Sequence, residues 1–169
     1  MISGDKIKIK GLTKNSQEKI YAWVNDEELR KLTGTIYPIS EFEHEEWIKN
    51  VATSKEYKVF MISEKEKNLD IGTIGLKNFD YLNSNVELFI SIGNRNYLNG
   101  GYGADAVRTM TRYVFNRLNL HKVYLKVFES NKRAIRCYEK VGFKKEGILK
   151  DHCFIEGKYE NVIVMGILK

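Results

Sequence analysis

Residues 98–104 read Leu-Asn-Gly-Gly-Tyr-Gly-Ala, with Gly100, Gly101 and Gly103 lying between two strongly patterned segments. Upstream, Val86–Ile92 alternates apolar and polar residues and predicts a strand. Downstream, Ala104, Val107, Thr111, Val114 and Leu118 recur at three- and four-residue steps, which predicts a helix from about Gly101 to Leu118. Glycine allows backbone N–H groups to turn outward where a Cβ would obstruct. A helix start adds unpaired donors and the positive end of the helix dipole. Strand, glycine turn and helix together form a cradle suited to a phosphate or diphosphate. A tight loop holding no ligand would use the same residues.

The rest of the chain reads as alternating short elements. Lys6–Lys10 has period two and predicts a strand; Thr13–Asn25 and Glu28–Leu32 predict helices; Pro38 interrupts. A further helix runs from Ser40 to about Val51, and Ser40 with Glu43 has capping-box spacing. Strands follow at Tyr57–Ser63, Ile71–Phe79 and Val86–Ile92, separated by short polar loops. After the helix come a strand at Lys122–Phe128, a helix at Asn131–Val141 ended by Gly142, and two strands near Lys144–Ile155 and Glu160–Leu168. This order implies an α+β fold: a mixed, mostly antiparallel sheet flanked by helices, with one parallel strand–helix–strand unit of right-handed crossover. With 169 residues, 43% of them apolar, and no Ser/Gly/Pro-rich linker, a single domain over 1–169 is expected.

Several classes are excluded or disfavoured. No apolar run approaches the ~20 residues that cross a bilayer, and Met1–Lys10 lacks the apolar stretch of a signal peptide. Cys137 and Cys153 form no CxxC pair, so neither a zinc site nor a disulfide framework is expected; the expectation is a cytoplasmic protein without a metal. At the glycine turn, Gly103 is followed by Ala104-Asp105 instead of Lys-Ser/Thr, which removes the P-loop reading. Gly101-x-Gly103-x-x-Ala106 fits a dinucleotide fingerprint, with Glu129 as a ribose ligand, but Gly93–Gly100 intervene between strand and turn.

The segment Val86-Glu87-Leu88-Phe89-Ile90-Ser91-Ile92, the Gly-Gly-Tyr-Gly turn, and Asn131-x-x-Ala134-x-x-x-Tyr138-x-x-x-Gly142-Phe143 together resemble the GCN5-related N-acetyltransferase (GNAT) superfamily. Glu146-Gly147 and Phe154-x-x-Gly157-x-Tyr159 are similar to its ribosomal-protein and spermidine acetyltransferase branch. The resemblance runs from about Ile71 to the C-terminus, and the N-terminal third matches loosely. Leu98 stands where the superfamily usually carries Gln or Arg; the phosphate cradle is built from main-chain donors, so the chemistry is little affected.

The resemblance implies that acetyl-CoA is the acyl-donor co-substrate and that an amine is the acceptor. Gly100, Gly101, Tyr102, Gly103 and Ala104 would then hold its diphosphate, Asn131 would touch the pantetheine arm, and a strand N–H among Ile90, Ser91 and Ile92 would polarise the thioester carbonyl. Tyr138 would act as general acid on the departing thiolate, its phenol being protonated at neutral pH with a reference pKa of about 10. On helical spacing alone Tyr138 reads equally as core packing, and Asn131 as an N-cap. Glu87 reads either as a base acting through water on the amine or as the solvent-facing residue of a half-exposed strand. The implied reaction is direct attack of the amine, since no histidine stands by to activate Cys137.

Lys plus Arg total 28 against 22 Asp plus Glu, a net charge of +6. Arg95, Lys132, Arg133, Arg136 and Lys140 are candidates for the CoA 3′-phosphate, or form a solvated basic face. Glu41, Glu43, Glu45 and Glu46 beside Trp47 fit a cationic acceptor or, more simply, a helix N-terminus. A protein N-terminus, a polyamine and an amino sugar all remain open as acceptors. So do a non-catalytic acyl-CoA-binding regulator and, further off, a dinucleotide oxidoreductase or an RNA-binding module. A homo-oligomer is compatible with the composition; no membrane partner is expected, and no nucleic-acid motif is present.

Overall fold

Helix starts in the N-terminal region follow from side chains that satisfy orphan N–H groups. In the computed structural model, which describes residues 1–169, α1 (Lys14–Asn25) begins after Thr13, whose N–H donates to Ser16 Oγ at 3.0 Å. Helix α2 (Glu27–Thr33) is capped by Asp26, which accepts from Leu29 N–H at 3.0 Å, and ends at Gly34 with φ +75°. Helix α3 (Glu41–Thr53) opens on the expected capping box: Glu43 N–H donates to Ser40 Oγ at 3.2 Å, and Ser40 N–H to Glu43 Oε2 at 2.8 Å.

Eight strands form one sheet: β1 (Ile2–Ser3), β2 (Ile7–Lys10), β3 (Tyr57–Glu64), β4 (Asp70–Asp80), β5 (Asn85–Ile92), β6 (Lys122–Phe128), β7 (Lys144–Ile155) and β8 (Lys158–Leu168). Their spatial order is β1-β2-β3-β4-β5-β6-β8-β7. Every pairing is antiparallel except β5 with β6. Those two are joined by the crossover helix α4 (Tyr102–Tyr113), and α5 (Lys132–Val141) follows β6. The α+β expectation and its single parallel unit are therefore observed. Sequence patterning missed the two-residue β1, which is too short to show a period.

Alternation divides the core by face. Ile62 of β3, Ile74 and Leu76 of β4, Val86 and Leu88 of β5 and Val123 and Leu125 of β6 join Ala106, Val107, Met110, Tyr138 and Phe143 in the main apolar cluster, under α4 and α5. Val59 and Met61 of β3 are buried outside that cluster, as are Ile20, Leu29 and Val51 of the helices α1, α2 and α3. Burying each such aliphatic side chain contributes about 1.5–3 kcal/mol.

Helix α4 departs from its predicted single stripe. Val107 and Thr111 are buried as expected, but so are Asp105, Ala106, Thr109 and Met110. The N-terminal strands β1 and β2 cover a second side of the helix, a long-range packing that periodicity does not report. The predicted continuation to Leu118 is helical but widened into a π turn over Val114–Leu118, which stops at Asn119 in the left-handed region with φ +54°.

Candidate active site

The parallel pairing of β5 with β6 ends almost as soon as it begins. It runs only from Asn85 opposite Lys122 to Glu87 opposite Tyr124. Beyond it β5 stays paired with β4 through Ile92, and β6 with β8 through Phe128, so the two strands part and a gap opens between them. Lys122 N–H donates to Ser84 C=O at 3.0 Å, which sets the alternation of backbone groups along β5. Continued along the strand, it aims the N–H of Ile90 into the gap. Ile90, Ser91 and Ile92 thus line an open strand edge in a sheet that is otherwise continuous there.

The glycine turn stands at the end of that edge. Gly93 follows β5 with the Trp23 ring flat against its backbone; a Cβ there would lie 2.1 Å from Trp23 Cδ2. Arg95–Tyr97 make one 3-10 turn. Gly101, at φ +81°, then turns the chain into α4. The first intrahelical donor is Asp105 N–H, to Gly101 C=O at 3.0 Å. The N–H groups of Tyr102, Gly103 and Ala104 therefore have no partner within the helix, and no side chain caps it. At Gly103 a Cβ would sit 3.7 Å from Cys137 Sγ and 3.8 Å from Ile92 Cγ1, so this turn joins α4, α5 and the end of β5.

Helix α5 brings the second set of residues to the same side. Asn131 caps it, its Oδ1 accepting from Ala134 N–H at 3.1 Å, as the N-cap reading required. That leaves the Nδ2 donors for another partner. Tyr138 is buried in the main cluster, 6.2 Å between ring centres from Phe143. Burial drives its phenol far above the ordinary tyrosine value, and the neighbouring Cys137 adds to the shift. Burial likewise pushes the Cys137 thiol up, against the pull of Lys140, Arg108 and Arg133.

Glu87 occupies the opposite face of the sheet at the last rung before the gap. It is only 3% exposed, which overturns the solvent-facing alternative. Asn78 Nδ2 donates to its Oε2 at 2.8 Å, and Lys77 Nζ stands 3.3 Å from its Oε1. Asn78 reaches it because β4 bulges: φ at Asn78 is +52°, and the register with β5 shifts between Lys77 and Asp80. Across the rung, desolvation and then the Glu87 charge raise the Tyr124 phenol. Glu87 and Tyr138 thus lie on opposite faces of the sheet.

The acetyltransferase (GNAT) domain model matches residues 6–144. The chain belongs to the GNAT acetyltransferase family. Among GNAT relatives, a spermidine N(1)-acetyltransferase of Vibrio cholerae is 36% identical over 110 residues, 65% of this chain and 62% of that protein. An uncharacterized N-acetyltransferase of Bacillus licheniformis is 33% identical over 110 residues, covering 65% of this chain and 61% of its own. These alignments therefore span less than two thirds of either relative. Over the whole fold, the crystal structure of the Vibrio cholerae spermidine N-acetyltransferase in complex with CoA and spermine superposes with a TM-score of 0.88 at 27% identity, covering 96% of this chain and 95% of that one. A GNAT-family acetyltransferase of Bacillus anthracis shares the fold at TM-score 0.85 and 19% identity, over 99% and 97% of the two chains.

Within this GNAT fold the sequence-derived candidates separate into groups. The glycine turn, the end of β5 and α5 meet at Gly103, Ile92 and Cys137; Asn131 and Tyr138 are carried by that same α5, and Glu87 lies on the other face of the sheet. Arg95 does not join them: its Nη2 contacts Asp26 Oδ1 at 2.7 Å and Oδ2 at 2.9 Å, fastening the turn to the start of α2. Glu43 is engaged in its capping box, as the simpler reading held. Glu129 accepts from Asn161 Nδ2 at 2.8 Å, and with β5–β6 as the sole parallel pair the dinucleotide arrangement is absent. Lys77, Asn78 and Tyr124 were missed; Asn78 carries no sequence signal, because a bulge puts it on Glu87. No group of three or more His, Cys, Asp and Glu side chains is disposed to hold a metal ion, and no helix is long and apolar enough to cross a membrane.

Proposed function

We propose that residues 1–169 form one acetyl-CoA-dependent N-acetyltransferase domain whose acceptor is a polyamine. The observation that carries this reading is the gap itself, with an open β5 edge, an uncapped α4 and ionisable side chains on both faces. The residues present fit acetyl-CoA. Free N–H groups of Tyr102, Gly103 and Ala104, next to a left-handed Gly101, suit a diphosphate. The Ile90–Ile92 edge suits the amide-bearing pantetheine arm, with Asn131 Nδ2 as an added donor. The bound thioester supplies an already activated acetyl group; the chain supplies orientation.

Ile90 N–H polarises the thioester carbonyl. Tyr138, whose burial keeps its proton in place, donates to the sulfur as the carbon–sulfur bond breaks. Glu87, held by Asn78 and Lys77, takes a proton through water from the amine, which needs a free lone pair to attack. That help matters most for a polyamine, whose amines with pKa near ~10 are almost fully protonated at neutral pH. The polyamine assignment is supported by the relatives named spermidine acetyltransferases and by the fold shared with one bound to CoA and spermine.

Two measurements test the proposal. Thermal unfolding should shift upward with acetyl-CoA and CoA and stay fixed with NAD. Thiol release from acetyl-CoA should be faster with spermidine or spermine than with N-terminal peptides or amino sugars. A shift with NAD alone rejects the transferase, and a preference for peptides rejects the polyamine.

A further inference from the structure

Lys6 belongs to the alternating segment that sequence patterning reads only as strand, and the fold carries it to the glycine turn. Its main chain is pinned there by Asp105, a buried carboxylate on the first turn of α4. Asp105 Oδ2 accepts from Lys6 N–H at 2.8 Å and from Ile7 N–H at 3.2 Å. The Lys6 side chain then lies over Tyr102, its ammonium 5.5 Å from the ring centre, and donates to Gly100 C=O at 2.9 Å. The same ammonium stands 3.9 Å from where a Cβ of Gly101 would project.

A trans peptide is planar, with its C=O and N–H pointing in opposite directions. The ammonium that holds the Gly100 carbonyl therefore turns the Gly101 N–H away from Lys6, on the outward side of the turn. A Gly-Gly peptide is the least constrained in the chain and would otherwise rotate readily. We propose that Lys6 is a positioning residue of the diphosphate cradle: through its bond to Gly100 it fixes the Gly100–Gly101 peptide so that Gly101 N–H joins the donors of α4. Its positive charge, one peptide away, adds to the attraction for the anion. Asp105 performs the enabling step by fastening the N-terminal strand to the helix that carries the cradle.

This inference rests on the acetyl-CoA reading, and the experiment separates the two. Wild type, Lys6→Met and Lys6→Arg are compared with acetyl-CoA and with S-acetylpantetheine, a thioester lacking the diphosphate and nucleotide. The ratio of kcat/KM for acetyl-CoA to that for S-acetylpantetheine should fall about five- to tenfold in Lys6→Met, chiefly through KM, and recover in Lys6→Arg. An unchanged ratio, or equal losses with both donors, overturns the role of Lys6 while leaving the transferase intact. A wild-type chain that neither binds CoA nor turns over acetyl-CoA overturns both.

Discussion

The two faces of the gap are built by different means. On the α4–α5 side the lining is largely main-chain: the β5 edge and the N–H groups opening α4 come from one contiguous strand–turn–helix, and α5 adds its cap residue Asn131. On the other side it is made by side chains from separate strands, Lys77 and Asn78 of β4, Glu87 of β5 and Tyr124 of β6, brought together by register and a bulge. Backbone recognition constrains only where glycine must stand, so it tolerates sequence change. A side-chain constellation depends on each identity and is free to be retuned for a new acceptor.

The largest expected effect tests the α4–α5 side. Tyr138→Phe should lower turnover about 10³-fold while CoA affinity, measured by calorimetry, stays near that of wild type. If turnover is retained, the phenol serves only to fill the core. Glu87→Gln probes the other face and should cost about 10²-fold with spermidine at neutral pH. The loss should shrink with a peptide α-amine, whose pKa near ~8 leaves more free base. Equal losses with both acceptors would take proton removal away from Glu87.

Smaller effects concern the frame that holds the faces together. Gly93→Ala forces Trp23 off the backbone at the end of β5 and should destabilise the fold by about 1–3 kcal/mol in denaturant unfolding. The smallest effect appears only in alkali. The native Tyr138 phenol titrates above its unfolded value of about 10, so below pH ~10 both states keep the proton and stability is intact. As pH rises further, the unfolded chain releases that proton while the native chain retains it, and stability falls. Tyr138→Phe should lack that slope when the two unfolding curves are compared across pH 9–12.

The same division explains what was legible in the residues. Glycine clusters, alternation and caps are local, so the strands, the Gly101 turn, the Ser40–Glu43 box and the Asn131 cap could be read directly. Glu87 was legible as a candidate but not its burial, which depends on Asn78 rotating onto it from a bulge in another strand. Arg95 looked available because its partner Asp26 lies 69 positions away. Asp105 lies off the apolar stripe predicted for α4, and only the return of the N-terminal strand across that helix makes it a buried anchor.

The brevity of the contact between β5 and β6 has a mechanical consequence. Three rungs are all that stitch the strands before the gap to those after it. A guest lying along the seam would act as a substitute strand and tie the halves of the molecule to each other. Amide hydrogens on the two sides should then exchange as separate cooperative blocks when the seam is vacant, and as one block once it is filled.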